Sequence, residues 1–289
     1  MSVKRKICIT TDCVCDLPDE MLRDNDIDIV YFYIETDTGR FRDRSEITAQ
    51  NIFEYLKNGG QKSVTGAPSP DEFVEFFTKK LRSCDEVIHI ATGSKISACV
   101  KTLKEAAEQM GDMGKRVHIF DSGHLSTGIG HIVLKAAEIV KSGESDIQKI
   151  LAELDRIKDR VSTTFIADSA DYLYRNGKVS KAVQVLCSIF NIHPVLAMKN
   201  GYLGLKSIQI GNYEKSALRY VRKELKKQKV VNDRLFITHA GCTANDIKLI
   251  RNEVNHIMKF DSVIVTKASA TVSGNSGPRT FGVLFVKSE

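Results

Sequence analysis

A two-domain α/β protein is predicted by three observations. Short apolar runs alternate with longer amphipathic segments through the first half of the chain. Hydroxyl, Gly and Asp residues fall where those runs end. The second half changes texture, to a closer succession of strands interrupted by Asn200-Gly201. The 289 residues suffice for two domains of ordinary size, expected at 1–160 and 161–289.

In the first domain Lys6 to Thr11 reads as a buried strand ending in Thr-Thr-Asp. Leu17-Pro18-Asp19-Glu20 then opens a helix, with Pro and acids in its first turn. Ile27 to Glu35, rich in Ile, Val, Tyr and Phe, reads as one strand. Thr48 to Leu56 reads as a helix stopped by Gly59-Gly60, and Ser69-Pro70-Asp71-Glu72 starts another. Val87 to Ala91 and Val117 to Phe120 read as short buried strands, with a helix from Ser97 to Met110 between them. Helices over Ser126 to Val140 and Asp146 to Asp159 complete the unit. Strand and helix in this alternation give a parallel sheet flanked by helices, with ligands expected at the carboxyl ends of the strands.

In the second domain Val161 to Ala167, Ile192 to Met198, Gly204 to Ile210, Arg234 to Thr238, Ser262 to Thr266 and Phe281 to Val286 read as strands. Helices are expected over Lys178 to Phe190, Tyr213 to Lys227 and Thr243 to Ile257. The result is a mixed, mainly antiparallel sheet with helices packed on it.

Composition narrows the function. The chain is 42% hydrophobic and 27% charged, as in folded globular proteins. A net charge of +6 favours an anionic ligand weakly. The densest basic run, Arg222 to Lys229, has no interleaved aromatic residue and reads as a solvated helix face, so no nucleic acid is expected. Basic residues at Lys4, Arg5 and Lys6 precede only a short apolar strand, which is not a signal peptide. The longest stretch free of Asp, Glu, Lys and Arg, Ala182 to Met198, is too short and too polar to span a bilayer, so no stable membrane insertion is expected. Seven Cys, odd in number and irregular in spacing, read as reduced thiols of a cytoplasmic protein.

Standard catalytic motifs are missing. Gly274-Asn275-Ser276-Gly277-Pro278 departs from GxSxG at its last position, no GxxxxGK[ST] occurs, and the His residues form no HExxH. No catalytic residue, metal or cofactor is therefore assigned. Asp12 and Asp16 flank the first strand-to-helix turn, where Asp16 is read as the cap of the following helix. Asp121-Ser122 reads as a turn and cap. Thr65, Ser69, Ser94, Ser97, Ser122 and Ser126 are expected in turns or at helix starts. Hydroxyls beside free N–H groups there suit a carboxylate or phosphate.

The order of these motifs resembles the DegV family of fatty-acid-binding proteins along nearly the whole chain. Ile9-Thr10-Thr11-Asp12-Cys13-Val14-Cys15-Asp16-Leu17-Pro18 is similar to the family's opening motif, with Cys13 for its usual Ser. Val64-Thr65-Gly66-Ala67-Pro68-Ser69 is similar to its Thr-Ser-x-Pro-Ser loop, and Gly93-Ser94-Lys95-Ile96-Ser97-Ala98-Cys99 to its Ser-Ser-x-Leu-Ser-Gly-Thr loop. Asp121-Ser122 with Ser126 to Gly130 resembles the next turn, and Asp171 to Val179 the Tyr-Leu…Gly-Gly-Arg-Ile segment. Gly274 to Arg279 stands where the family has Gly-x-His-x-Gly-Pro-Gly.

The resemblance implies a long-chain fatty acid held between two domains, its carboxylate against loop hydroxyls. It implies Thr65, Ser97 and Ser94 as head-group ligands and Asn275 and Ser276 as C-terminal contacts. It also implies a non-catalytic, lipid-presenting role beside a separate ATP-binding fatty-acid kinase subunit. Asn275 replaces the family's His, Ala98 and Cys99 replace Gly and Thr, Arg279 replaces the last Gly, and Ser169 stands where many kinase-coupled members have Arg. Two other readings stay open: a carrier of another lipid-like carboxylic acid, and an acyl transferase or hydrolase using Ser97 or Cys99 as nucleophile.

Overall fold

The computed structural model describes residues 6–61, 63–177, 179–226 and 229–289. Lys178 and Lys227, expected at two helix ends, lie outside them, as do Lys4, Arg5 and Gln228 of the basic segments.

The first half contains β1 (Ile7–Asp12), α1 (Asp19–Asp24), β2 (Ile27–Val30), β3 (Tyr33–Thr36), β4 (Gly39–Arg42), α2 (Ala49–Lys57), β5 (Ser63–Gly66), α3 (Pro70–Lys80), β6 (Glu86–Ala91), α4 (Cys99–Gln109), β7 (Val117–Asp121), α5 (Thr127–Lys141) and α6 (Ile147–Lys158). The second contains β8 (Val161–Ser162), β9 (Thr164–Ile166), α7 (Asp171–Arg175), α8 (Lys181–Ile189), β10 (Ile192–Lys199), β11 (Tyr202–Ile210), α9 (Tyr213–Lys226), β12 (Val230–Ala240), α10 (Ala244–Ile257), β13 (Ser262–Lys267), α11 (Ala270–Ser276) and β14 (Thr280–Lys287).

Strands β2-β1-β6-β7 form the expected parallel sheet. The second sheet runs β11-β10-β9-β14-β12-β13, with β8 beside β14; only β12 and β13 pair parallel. Asn200 and Gly201, both at positive φ, make the β10–β11 turn, the backbone state that Asn-Gly suits.

Four sequence expectations need correction. Ile27 to Glu35 is two strands in different sheets: β2 joins the parallel sheet, while β3 pairs antiparallel with β4 and β5. Buried Phe32 lies between them, and its N–H donates to Cys13 Sγ. Val161 to Ala167 is interrupted at Thr163: β8 pairs with β14, β9 pairs with β14 and β10, and the Thr163 hydroxyl between them meets His124 Nδ1 at 2.9 Å. Thr65 lies within β5, opposite Ile34, and caps no helix. Asp16, at φ 54°, does not cap the helix that follows it; α1 starts after Pro18 without a side-chain cap.

The two sheets share a core. Helix α5 buries Ile129, Ile132, Val133, Leu134, Ala136 and Ala137, and its cluster takes in Phe236, Leu284 and Val286 from the mixed sheet. His131 donates from Nε2 to Leu284 O at 3.1 Å and meets Phe236 edge-on. Burial holds the His131 imidazole neutral, pushing its pKa down to about 3. The opposite face of the mixed sheet forms a second core with α9 and α10.

Candidate functional site

At the carboxyl end of β1 the Asp12 carboxylate is fully buried and fully used. It accepts the Thr92 N–H at 2.6 Å, His89 Nε2 at 3.1 Å and the Cys99 thiol at 3.5 Å, while His89 Nδ1 meets the Thr10 hydroxyl at 2.9 Å. These bonds fix the backbone that leads into the loop after β6. Burial and the neighbouring Asp12 push the Cys99 thiol well up, so it stays protonated. This is the opposite of what a nucleophile needs, and it weighs against the transferase or hydrolase reading.

The loop Gly93–Ser97 packs against the turn at 121–124. A Cβ on Gly93 would sit 2.9 Å from the Gly123 carbonyl carbon, so only Gly allows this approach. Asp121 holds the loop, accepting the Ser94 N–H at 3.1 Å and the Ser94 hydroxyl at 2.5 Å. The Ser94 proton is thereby committed within the loop. Ser97 Oγ instead accepts the Cys99 N–H at 3.2 Å, leaving its own proton available beside the start of α4. Thr65 is half-buried, and its hydroxyl has no hydrogen-bond partner among the described residues.

Asn275 and Ser276 lie in the last turn of α11, where the sequence suggested a Gly-rich turn. Asn275 Nδ2 donates back to Thr271 O at 2.8 Å. Ser276 is buried, and its Oγ has no partner among the described residues. A buried hydroxyl left so costs about 1–3 kcal/mol. No hydrogen bond among the described residues joins Thr65, Ser94, Ser97, Asn275 and Ser276 to one another. They are related through the elements that carry them: Ile34, opposite Thr65, packs with Ala270 of α11.

Helix α11 was not legible, because Ser-Gly-Asn-Ser is poor helix sequence. Distant carboxylates hold its first turn. Asp43 accepts the Ala270 and Thr271 N–H groups, both at 2.8 Å, and Asp16 accepts the Ser269 N–H at 2.8 Å. Asp16 also accepts the Ser126 hydroxyl at 2.5 Å, tying α11 to the start of α5. Burial is the chief cause that pushes the Asp16 carboxyl up to about 7.

Between these helix starts and the mixed sheet lies a small, mainly apolar cavity of about 30 Å³. Its walls include Leu125, Ser126, Val272 and Ser276, and its floor includes Phe165 and Gly282. A Cβ on Gly282 would come within 2.5 Å of Thr164 O, so the floor is kept free of a side chain there. Paired strand residues share a face. Gly282 pairs with Phe165, Phe165 with Leu196, Leu196 with Leu205, and Pro194 with Ile208. One apolar surface therefore continues from the cavity to the sheet edge, where Leu205, Ile208 and Ile210 are exposed. Helix α8, beside β10, buries none of its residues and exposes Val183, Val185, Leu186 and Ile189.

Lys95, which sequence reasoning left unassigned, joins the two halves. Its Nζ donates to Asn200 O at 3.0 Å and sits 4.2 Å from the Tyr202 ring centroid. The loop that carries Ser94 and Ser97 is thus fastened to the β10–β11 turn. Arg279, at φ 59°, keeps the left-handed backbone that Gly would favour; its side chain pairs with Asp246 at 2.9 Å and stacks on Tyr213. Among the described residues no group of three or more His, Cys, Asp or Glu side chains is arranged to hold a metal ion, and no helix is long and apolar enough to cross a membrane.

Comparison with known proteins agrees with this architecture. A DegV domain-containing protein of Caldanaerobacter subterraneus subsp. tengcongensis is 28% identical over 284 residues, covering 97% of this chain and 98% of the relative. A solved DegV family protein from Thermus thermophilus, described by its fatty-acid binding, superposes with a TM-score of 0.85 at 26% identity, over 98% of this chain and 100% of that one. A DegV family protein from Eubacterium eligens, solved loaded with heptadecanoic acid, shares the fold with a TM-score of 0.85 at 19% identity, over 98% and 100% of the two chains. The model of the DegV family, described as an uncharacterised protein family, matches residues 6–288, and the chain belongs to that family.

Proposed function

We propose that this protein binds one long-chain fatty acid without transforming it. The acyl tail lies along the apolar surface that runs from the Phe165–Gly282 floor toward Leu196 and Leu205. The carboxylate is received by the hydroxyls of Thr65 and Ser97 near the start of α4, with Asn275 and Ser276 on the α11 side. Ser94 holds the loop through Asp121 rather than touching the ligand. In this division the first domain supplies the head-group loops and the second encloses the tail. The observation that carries the reading is a continuous apolar sheet face leading into a cavity with an unpaired buried hydroxyl. Its relatives' described ligands support it.

Each buried CH₂ contributes ~0.8 kcal/mol, so a tail of about fifteen methylenes gains roughly 12 kcal/mol before ordering costs. A ligand held so should survive purification. Organic extraction of freshly purified protein, followed by mass spectrometry, is expected to yield one long-chain fatty acid per chain. Absence of stoichiometric acid, together with no binding of added palmitate or oleate by stripped protein, would sink the proposal.

The proposal extends to presenting the bound acid to a separate ATP-binding kinase subunit, a part supported by the sequence resemblance. Adding such a subunit and ATP should phosphorylate the bound acyl carboxylate. If the acid binds but no acyl phosphate forms with the kinase subunit of the same organism, the protein is a carrier alone.

A further inference from the structure

Two turns from opposite halves of the molecule meet beside the hydroxyl loops. The loop after β6 is tightly wound: the Ile96 and Ser97 N–H groups both donate to Gly93 O, at 3.0 and 3.1 Å, and the Gly93 N–H donates to His124 O at 2.9 Å. Ser94, Lys95 and Ile96 stand exposed at its tip. The β10–β11 turn approaches the same tip. A Cβ on Gly201 would lie 3.2 Å from Lys95 Cδ, and a Cβ on Gly123 would lie 3.8 Å from Gly201 Cα. The Lys95 stem therefore runs across the bare backbone of Gly201, whose φ of 79° suits Gly.

The end of that side chain meets two partners at once. Its Nζ reaches the Asn200 carbonyl and the Tyr202 ring, one residue on either side of Gly201. A carbonyl dipole and a ring quadrupole both favour a cation there. The hairpin tip has few other ties. β11 is an edge strand, and the β9 pairing of β10 stops at Ala197. Among the described residues no other hydrogen bond joins 199–202 to the first half of the chain. On the loop side Lys95 lies between Ser94, which Asp121 fixes, and Ser97, whose hydroxyl accepts the Cys99 N–H at the start of α4.

We propose that Lys95 is a positioning residue that latches the β10–β11 hairpin onto the head-group loop and so retains a bound long-chain fatty acid. The role rests on the fatty-acid reading above. The hairpin carries the Leu196 and Leu205 end of the apolar strip, and the loop carries Ser97. With the latch closed, the two parts of the site move as one. Opening it parts them at the hairpin tip, so the barrier to ligand departure falls while the packed cores of both sheets stay intact.

Two variants of the full chain test the latch. Lys95→Met keeps the stem and removes the charge and the donors, whereas Lys95→Arg keeps a cation that can reach a carbonyl and stack on a ring. Release of a fluorescent long-chain fatty acid is followed by stopped-flow competition with unlabelled oleate. Lys95→Met should release it roughly five- to tenfold faster than wild type, and Lys95→Arg should stay within about twofold of wild type. In stripped protein, amide hydrogen exchange should quicken in Lys95→Met at Asn200, Gly201 and Tyr202 but not in β12 or β14, with an unchanged urea midpoint. Wild-type release rates in Lys95→Met, or an Arg variant as fast as the Met variant, would overturn the latch. Faster release without quicker exchange at the turn would overturn it too, assigning Lys95 to attraction of the carboxylate instead. A wild type that binds no fatty acid would sink the functional reading and the latch together; a wild type that binds, beside a Lys95→Met that releases normally, would sink the latch alone.

Discussion

The mixed sheet has two faces of unequal completeness. The outer face is filled: Ile166, Val195, Ile237, Phe281 and Phe285 are sealed under α9 and α10 by residues such as Tyr220 and Ile250. The inner face is filled only where α5 covers Phe236 and Leu284. Beyond that it opens into the cavity and ends in side chains as exposed as Leu205, at 65%. The same backbone register builds both, so the difference lies in what is laid on top. The outer face puts its apolar area into the core, and the inner face leaves part of it uncovered, where the proposed acyl tail would lie. An apolar strip left uncovered in this way is the kind of surface that the proposed acyl tail requires.

The largest expected effect tests the filled face. Phe281 is 1% exposed and stacks edge-on against Tyr220. Phe281→Ala should lower the unfolding free energy by about 3–5 kcal/mol, measured by urea denaturation. Fatty-acid affinity at a temperature where the variant stays folded should change little. A strong loss of affinity in a folded variant would mean that the two faces are not separate in function.

The second test concerns the roof of the inner face, which Asp16 holds through Ser126 and Ser269. Its carboxyl pKa rises on folding from 3.8 to about 7. Between those values the folded state binds the extra proton, so this group's contribution to stability falls as pH rises through the window and levels off above about pH 7. Asp16→Asn removes the decline and can keep the acceptor for the Ser269 N–H. Relative to wild type, the variant should gain roughly 2–4 kcal/mol between pH 4 and pH 8, measured by urea unfolding at each pH. His131 works in the opposite sense: its folded pKa of about 3 against an ordinary 6.5 makes stability fall as pH drops below 6.5. That slope is common to both proteins and cancels in their difference. Parallel curves for the two proteins would show that Asp16 does not titrate in this range.

The contrast between filled and open regions also explains what the sequence could reveal. Periodic apolar runs such as Val87 to Ala91 and Thr243 to Ile257 announce elements whose partners are nearby or whose capping is local; Thr243 and Asp246 form a capping box at the second. Asn200-Gly201 announced its hairpin for the same reason. The small sheet was invisible because β3, β4 and β5 are four residues each and their pairing joins Tyr33–Thr36 to Ser63–Gly66 across a helix. Helix α11 was invisible because its N–H groups are satisfied by Asp16 and Asp43, more than two hundred residues earlier in the chain. At the site, Thr65, Ser97, Asn275 and Ser276 were reached through motif resemblance. The commitment of Ser94 to Asp121 and the clasp by Lys95 needed three-dimensional contacts.

The third test addresses the head group. If Thr65 and Ser97 each donate a charge-assisted hydrogen bond to the carboxylate, each contributes about 1.5–3 kcal/mol. The double variant Thr65→Ala, Ser97→Ala should therefore bind a fluorescent fatty acid at least tenfold more weakly, with an unfolding midpoint close to wild type. Unchanged affinity would remove both residues from the head-group role. A large stability loss would reassign Ser97 to holding the start of α4 through the Cys99 N–H.

The smallest expected stability effect separates the open face from the filled one most directly. Leu205 pairs with Leu196 on the inner face, and its side chain is largely in solvent. Removing it from stripped protein deletes little buried area, so Leu205→Ser should shift the unfolding free energy by no more than about 0.5 kcal/mol. If the acyl tail reaches along this face, the same substitution removes apolar contact from the complex and puts a hydroxyl beside methylenes. Affinity should then fall by about 1 kcal/mol or more, and the loss should grow with acyl length, because only longer chains extend to β11. Titrating wild type and variant with saturated acids of increasing length distinguishes the cases. A deficit that appears only beyond a certain length locates where the tail passes from the Phe165–Gly282 cavity to the sheet edge. Identical affinities at every length would confine the tail to the cavity and leave the exposed strip on β11 and α8 with another purpose.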